Sequence, residues 1–202
     1  MLKKALLLYT VFTAFLFSGC GEQAGPAAKI LKVSGSVQAR PAAGAQYAEA
    51  RANMDLAVGG AVRTQSDSNA QIITHLDSVK IDISADSFFE VKTGAAVGFQ
   101  GEGKAAYDVN KQKSDVVIET PHGATAVLGT KFGQLVGSDS ILIIVEKGKV
   151  RFTSKAGQNR EIIGGQKFAW NVAEPMPLVV EASLVDSEGF FGDIDSFEME
   201  RR

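Results

Sequence analysis

The chain is poor in the side chains from which metal centres and covalent catalysts are built. Its 202 residues include one cysteine, Cys20, and two histidines, His75 and His122. Zinc sites of the common His and Cys types need more ligands than that. A single cysteine also excludes an internal disulfide. Proline is scarce at five residues, and tryptophan occurs once, as Trp170. Neither sign of charge dominates: 21 Lys and Arg against 23 Asp and Glu leave a formal charge of −2. No basic stripe or ladder of aromatics stands out, which argues against nucleic-acid binding. Segments with a 3.6-residue apolar period are few, so helices are not expected to build the core.

Chemical motifs are missing as well. Serine is plentiful, yet no Gly-x-Ser-x-Gly elbow occurs. Gly129-Thr130-Lys131 echoes a phosphate loop only superficially, because it lacks the upstream glycine at Walker spacing and a following helix. Asp186-Ser187-Glu188-Gly189 and Asp193–Asp195 lack calcium-loop spacing. His122, in the Pro121–Gly123 corner, reads as an exposed turn residue rather than a ligand or base, and His75 at a strand end reads the same way. Trp170 follows Phe168 at period two, which suits core or cap better than a ligand platform. No catalytic residue, cofactor or metal site is assigned, and an enzyme is not expected.

Glycine, by contrast, is plentiful at 21 residues. Val79–Ser84 alternates apolar and polar, Phe89–Lys92 continues the alternation after a turn at Ala85–Ser87, and Val150–Thr153 alternates too. Ile141–Val145 is a continuous apolar run, as expected for a strand covered on both faces. The most strand-like runs, Asp115–Glu119 and Gln134–Val145, flank the stretch Glu119–Gly133. Within it, Pro121 should end or bend the preceding strand. Gly123 and Gly129 supply turns or close backbone approach, and Ala126-Val127-Leu128 suits a buried crossing. The Gly129 backbone is expected to be one that a Cβ would strain, with the Thr130 hydroxyl satisfying a backbone group at that corner. Glu146–Lys149 should join two strands as a hairpin or tight corner.

A glycine followed by an apolar strand recurs at Gly35, Gly59, Gly94, Gly123, Gly148 and Gly164, at irregular intervals. An all-β domain of the short β-solenoid or β-roll kind, with glycines at the corners, accounts for this. A two-sheet β-sandwich is the alternative. Pro41–Val58 is expected to be a loop with a helical turn covering one end, and Gly94–Asn110 a hairpin or exposed loop. Glu174-Pro175-Met176-Pro177 marks an exit from the β-core, after which Leu178–Val180 adds an edge strand. Asp186–Arg202 is acidic, with Phe190, Phe191, Ile194 and Phe197 interspersed; it reads either as a short helix from about Asp193 or as a polar tail.

The start of the chain reads as an export signal. Lys3 and Lys4 precede the apolar run Ala5–Phe17, and Ser18-Gly19-Cys20 closes it. The run is short for a transmembrane helix. Phe17-Ser18-Gly19-Cys20 resembles a bacterial lipobox, which implies that Cys20 is lipidated and begins the mature chain. A plain signal peptide or a short membrane anchor is the alternative. Gly21–Ala28 is a tether, whose eight or so residues span at most roughly 29 Å. In bacterial lipoproteins an Asp after the cysteine implies inner-membrane retention. Gly21 stands there instead, which implies the periplasmic face of the outer membrane if the source has two membranes.

Thr120-Pro121-x-Gly123, a short apolar stretch and Gly129-Thr130-x-Phe132 together resemble the hallmark of the FecR-like domain, named after the periplasmic regulator of ferric-citrate uptake. Other pieces resemble it in the expected order. Gly35–Ala39 is like its opening strand, and Leu56–Thr64 like its L-x-x-G-D-x-V-x-T segment, with Gly60 where Asp is usual. Asn69–Ile73 is like its next strand, Glu146-x-Gly148-x-Val150 like its E-x-G-x-V, and Gly165-Gln166 like its closing G-Q. The resemblance implies structural roles for Thr120, Pro121, Gly123, Gly129, Thr130, Phe132, Glu146, Gly148, Val150, Gly165 and Gln166. Together with the export signal and lipobox, it divides the chain into a signal peptide (1–19), a lipidated cysteine and tether (20–28), a FecR-like β domain (29–172) and a C-terminal extension (173–202). Regulators with this domain use it in the periplasm beside an anti-sigma region; with only Met1–Lys4 before the apolar run, no such region is expected here.

Two functions are compatible with these expectations. One is a non-enzymatic envelope lipoprotein that binds an envelope protein as a signalling or scaffolding module, membrane-tethered through lipid on Cys20. The other is a carbohydrate- or cell-wall-binding module, for which Trp170, Tyr47 and Tyr107 are the candidate exposed aromatics.

Overall fold

The computed structural model describes residues 25–75, 78–111, 114–183 and 190–191. In chain order the strands are β1 (Ala28–Ser34), β2 (Val37–Arg40), β3 (Ala48–Glu49), β4 (Asp55–Leu56), β5 (Ala61–Thr64), β6 (Asn69–Thr74), β7 (Lys80–Ile83), β8 (Phe88–Val91) and β9 (Gly98–Asp108). They continue as β10 (Val116–Thr120), β11 (Gly123–Val127), β12 (Lys131–Val136), β13 (Ser140–Lys147), β14 (Lys149–Ser154), β15 (Asn159–Ile163), β16 (Gln166–Asn171) and β17 (Val180–Glu181). The described chain is thus nearly all β.

Pairing sorts the strands into two ladders. The first runs β4-β1-β6-β7-β9-β12-β13-β16-β17. The second runs β3-β2-β5-β8-β9-β10-β11-β14-β15. Across both, strands lie nearly in the order in which the chain makes them. Every pair is antiparallel except β9 with β10. The strand β9 belongs to both ladders: Gly98–Glu102 pairs with β8, and Gly103–Asp108 pairs with β12. One buried cluster takes side chains from both, including Ile30, Ile72 and Phe132 of the first sheet and Val62, Ile118 and Phe152 of the second.

The chain changes sheet at left-handed residues. Gly103 makes the bend inside β9 (φ 83°), Gly129 the step from β11 to β12 (φ 68°), and Gly148 the step from β13 to β14 (φ 93°). Asp67, before β6, and Asp86, before β8, do the same with φ of 54° and 51°. Short Asp side chains tolerate this region better than most.

Several expectations need correction. Gly94–Asn110 is no exposed loop: it holds β9, at 11 residues the longest strand. Its glycines make room for aromatic rings, since a Cβ on Gly98 would lie 2.0 Å from the Phe89 ring and one on Gly101 2.7 Å from Phe88. Pro41–Val58 contains no helical turn but the two short edge strands β3 and β4, which finish the two sheets at their N-terminal end. Gln134–Val145 is two strands, broken at residues 137–139 by a turn in which the Gly137 N–H bonds to the Ser140 carbonyl. Leu128 is not buried in a crossing but 46% exposed, because the chain is already turning toward Gly129. Ile141–Val145 is covered on both faces: Ile141, Ile143 and Val145 enter the main core, while Leu142 and Ile144 meet Phe190 and Phe191 outside it.

Candidate functional site

The motif residues form a structural lock. β10 and β11 make a hairpin whose two-residue loop is Pro121-His122. Two-residue hairpin loops favour left-handed residues. Proline cannot adopt them, and neither loop residue has positive φ. The Thr120 hydroxyl supports the turn instead, accepting from the His122 and Gly123 N–H groups (3.2 and 3.1 Å) and donating to the Gly123 carbonyl (3.0 Å). A Cβ on Gly123 would sit 2.2 Å from the Thr153 carbonyl of β14.

The next two corners interlock. The buried Thr130 hydroxyl donates to the Lys149 carbonyl (2.8 Å) and accepts from the Lys149 N–H (3.3 Å). A Cβ on Gly148 would be 2.8 Å from both the Gly129 carbonyl and Thr130 Oγ1. Lys131 and Glu146 close the outside with an ion pair at 3.0 Å. Val150 and Phe132 are wholly buried, and Phe132 stacks on Tyr107 with ring centroids 4.8 Å apart. Gly165 has φ of 84°, and the Gln166 amide bridges the Ile163 N–H and Glu181 Oε1.

Beneath this lock runs a buried polar chain that the sequence did not reveal. Tyr107 Oη donates to Gln100 Oε1 (2.7 Å), Gln134 Nε2 donates to the same oxygen (3.1 Å), and Thr125 Oγ1 donates to Gln134 Oε1 (2.6 Å). All four residues are buried, and together they join both sheets across β9, β11 and β12. Burial pushes the Tyr107 phenol well above its usual range. The chain is saturated with partners, so it holds the sheets in register rather than presenting chemistry to solvent.

Histidine and the aromatics fall differently from expectation. His122 is buried, not exposed, at 7% exposure, and its Nε2 lies 2.8 Å from the Gly137 carbonyl because the hairpin tip tucks under the turn before β13. His75 is exposed. Tyr107 is core and cannot serve as an exposed aromatic. Tyr47 is half-buried beneath two guanidinium groups, Arg63 at 3.9 Å and Arg40 at 5.5 Å from its ring. Trp170 is also half-buried: it packs edgewise on Phe152, and its Nε1–H donates to the Glu174 carbonyl (2.9 Å).

Two surface features remain. At the C-terminal end, residues 173–178 fold back along β15, with Arg160 donating to the Met176 and Pro177 carbonyls (3.0 and 2.8 Å). Met176 plugs the core there, and an open groove lies between this segment, Trp170, Lys155 and His122. Beyond the plug, Leu178 is 79% exposed, Val180 51% and Ile163 45%. On the outer face of the first sheet, Phe190 and Phe191 are buried against Ala106 and Ile144.

Electrostatics elsewhere is local. Burial raises the Asp82 carboxyl above its usual range, opposed by a 2.6 Å hydrogen bond from Gln71 Nε2. The Glu90 carboxyl is held below its range, first by the hydrogen bond from Lys92 and also by Arg40. Among the described residues, no three His, Cys, Asp or Glu side chains gather as a metal site, and no helix is long and apolar enough to cross a membrane. Cys20 and most of 184–202 lie outside the described residues.

Comparison with known proteins places these features. No curated protein matches the chain. Two crystal structures of a putative anti-sigma factor from Parabacteroides distasonis are similar in fold, at 14% identity and TM-scores of 0.56 and 0.57. Each match covers 65% of this chain and 64% or 63% of the other, so the shared fold spans less than two thirds of those chains. Residues 60–151, from the start of β5 into β14, match the family model described as FecR protein. That span holds both the Thr120 hairpin and the Gly129–Gly148 lock, so the family model and the sequence pattern agree on a FecR match over residues 60–151.

Proposed function

We propose that the chain is a non-enzymatic envelope lipoprotein whose FecR domain binds another envelope protein as a signalling or scaffolding module. The observation that carries this is the distribution of exposed apolar side chains. Of the six large ones among the described residues, four belong to the C-terminal end: Ile163 closes the edge strand β15, Leu178 and Val180 lie just before and in the edge strand β17, and Val172 follows β16. Edge strands offer unpaired backbone groups, and apolar side chains next to them suit an added strand from a partner. The strand order and the left-handed corners favour a short β-roll as the architecture. The FecR match and the similarity to a structure described as an anti-sigma factor favour a regulatory setting.

Lipid on Cys20 would hold the domain close to a membrane, on the periplasmic face of the outer membrane where there are two. Mass spectrometry of the mature N-terminal peptide tests this; an unmodified Cys20 or cleavage elsewhere overturns it. Photo-crosslinkers at Leu178 and Val180 in intact cells test the partner. A discrete protein adduct from these positions, and none from Tyr47 at the other end, is the expected result. The open groove beside Trp170 supports a second reading, a wall-binding module. Retention of the lipoprotein on purified peptidoglycan or polysaccharide, with no protein adduct, would replace the first reading by the second.

A further inference from the structure

The outer face of the first sheet carries two small residues side by side, Ala106 and Gly133, under an aromatic pair. Ala106 of β9, Gly133 of β12 and Ile144 of β13 lie side by side in register. Gly133 leaves a notch in that row, and Phe190 fills it: a Cβ on Gly133 would lie 2.2 Å from the Phe190 ring. Phe191 packs on Phe190 with centroids 5.4 Å apart, and both rings are buried. Two lysines rim the notch. Lys104 Nζ lies 4.8 Å from the Phe190 ring centre, and Lys131 Nζ 5.9 Å from that of Phe191. Leu135 of β12, still 40% exposed, follows Gly133 on the same face.

The floor of this socket and its filling come from different parts of the chain. Ala106, Gly133 and Ile144 lie within the FecR match, whereas Phe190 and Phe191 lie well beyond its end. The floor is complete without them, since β12 pairs with Gly103–Asp108 of β9 on one side and with β13 on the other. In sequence the aromatic pair is flanked by Asp186, Glu188, Asp193 and Asp195, opposite in charge to the lysine rim. An aromatic ring seated on glycine beneath ammonium groups gains burial and cation–π attraction together.

We propose that this face is a recognition socket for an acidic protein segment bearing two adjacent aromatic residues, and that the chain's own Phe190-Phe191 occupies it until a partner segment of the same chemistry displaces them. The site lies on the sheet face inside the edge strand β17, whose Val180 continues the same row through Lys167; probe capture by the socket and crosslinking from Leu178 report on the two contacts separately. Because the resident pair is covalently attached, it competes at high effective concentration and keeps the socket closed to weak ligands.

The test uses the full chain with a protease site introduced between Ser183 and Phe190, which keeps every socket and plug residue. A fluorescent peptide with the sequence of residues 186–195 is the probe. The uncut chain should bind it about tenfold or more weakly than the cut chain, which exchanges its severed tail for the probe. Added salt should weaken capture, and so should Lys104→Glu with Lys131→Glu. A probe with both phenylalanines replaced by alanine should not bind. Capture that is equal before and after cutting overturns the proposal, as does no capture by a cut chain that remains folded. A cut chain that unfolds also overturns it, by showing the pair to be part of the core.

Discussion

The two ends of the double sheet are finished in opposite ways. At the N-terminal end, β3 and β4 lie along the outermost strands, Leu56 is wholly buried, and Lys29 pairs with Asp55 at 3.4 Å. Nearby, Tyr47 is covered by Arg63 and Arg40, and no large apolar side chain of residues 25–75 is exposed. At the C-terminal end one methionine, Met176, plugs the core, and the residues after it turn Leu178 and Val180 outward. Both ends satisfy the core, but only one leaves an apolar surface.

Truncation of the two plugs should have the largest effect. Leu56→Ala should cost about 3–5 kcal/mol and Met176→Ala about 2–3 kcal/mol in chemical denaturation, because Leu56 is more deeply enclosed. Equal or inverted costs would erase the contrast in core closure. Next comes the lock between the ends. Gly129→Val should cost on the order of 1–3 kcal/mol, through left-handed strain and contact with Lys111, which would lie 3.0 Å from the new Cβ. A thermal melt matching the parent would show that the corner does not need its glycine.

Tyr47→Ala should lower stability by about 0.5–1 kcal/mol, the usual worth of an exposed cation–π contact. Glu90, which holds Arg40 on the same side, gives a pH signature. Its folded pKa is depressed, so its stabilisation is full above the ordinary glutamate range and is lost as pH falls through the lower folded value. Melting curves of Glu90→Gln and parent should therefore differ at pH 7 and converge in acid. The smallest effect should come from Leu178→Ser with Val180→Lys, within about 0.5 kcal/mol of the parent. A larger loss would mean that the exposed end is a structural cap.

Legibility in the sequence followed the reach of each interaction. β7, β8 and β14 were readable because alternation is local. The Thr120–Phe132 stretch was readable as strand, turn, strand, corner, strand because proline and glycine declare themselves. β9 was not, because Gly98, Gly101 and Gly103 are weak strand formers whose places are set by Phe88, Phe89 and Ser87 across the ladder. Burial of His122 depends on Gly137, and the roles of Gln100 and Gln134 depend on each other, across distances that no local pattern reports. The left-handed turns at Asp67 and Asp86 imitate glycine without being glycine. The exposed C-terminal end was least legible of all, since Leu178 and Val180 look in sequence like any edge strand.

The double membership of β9 has a consequence for how the molecule opens. Because strands stack in chain order, most of the fold can fray from either end by successive losses of neighbouring strands, as in a repeat array. Such unzipping must halt at β9, where releasing one sheet means releasing the other and breaking the Gln100–Gln134 bridge. Amide protons of β9 and β12 should therefore exchange with solvent only in global unfolding, and those of β3 and β17 in shallow local openings. Opened from the C-terminal side, the domain would release its exposed apolar end first and the Thr120–Phe132 stretch afterwards, so a force applied at that end would strip Leu178 and Val180 from the sheet before it reached the Gly129–Gly148 lock.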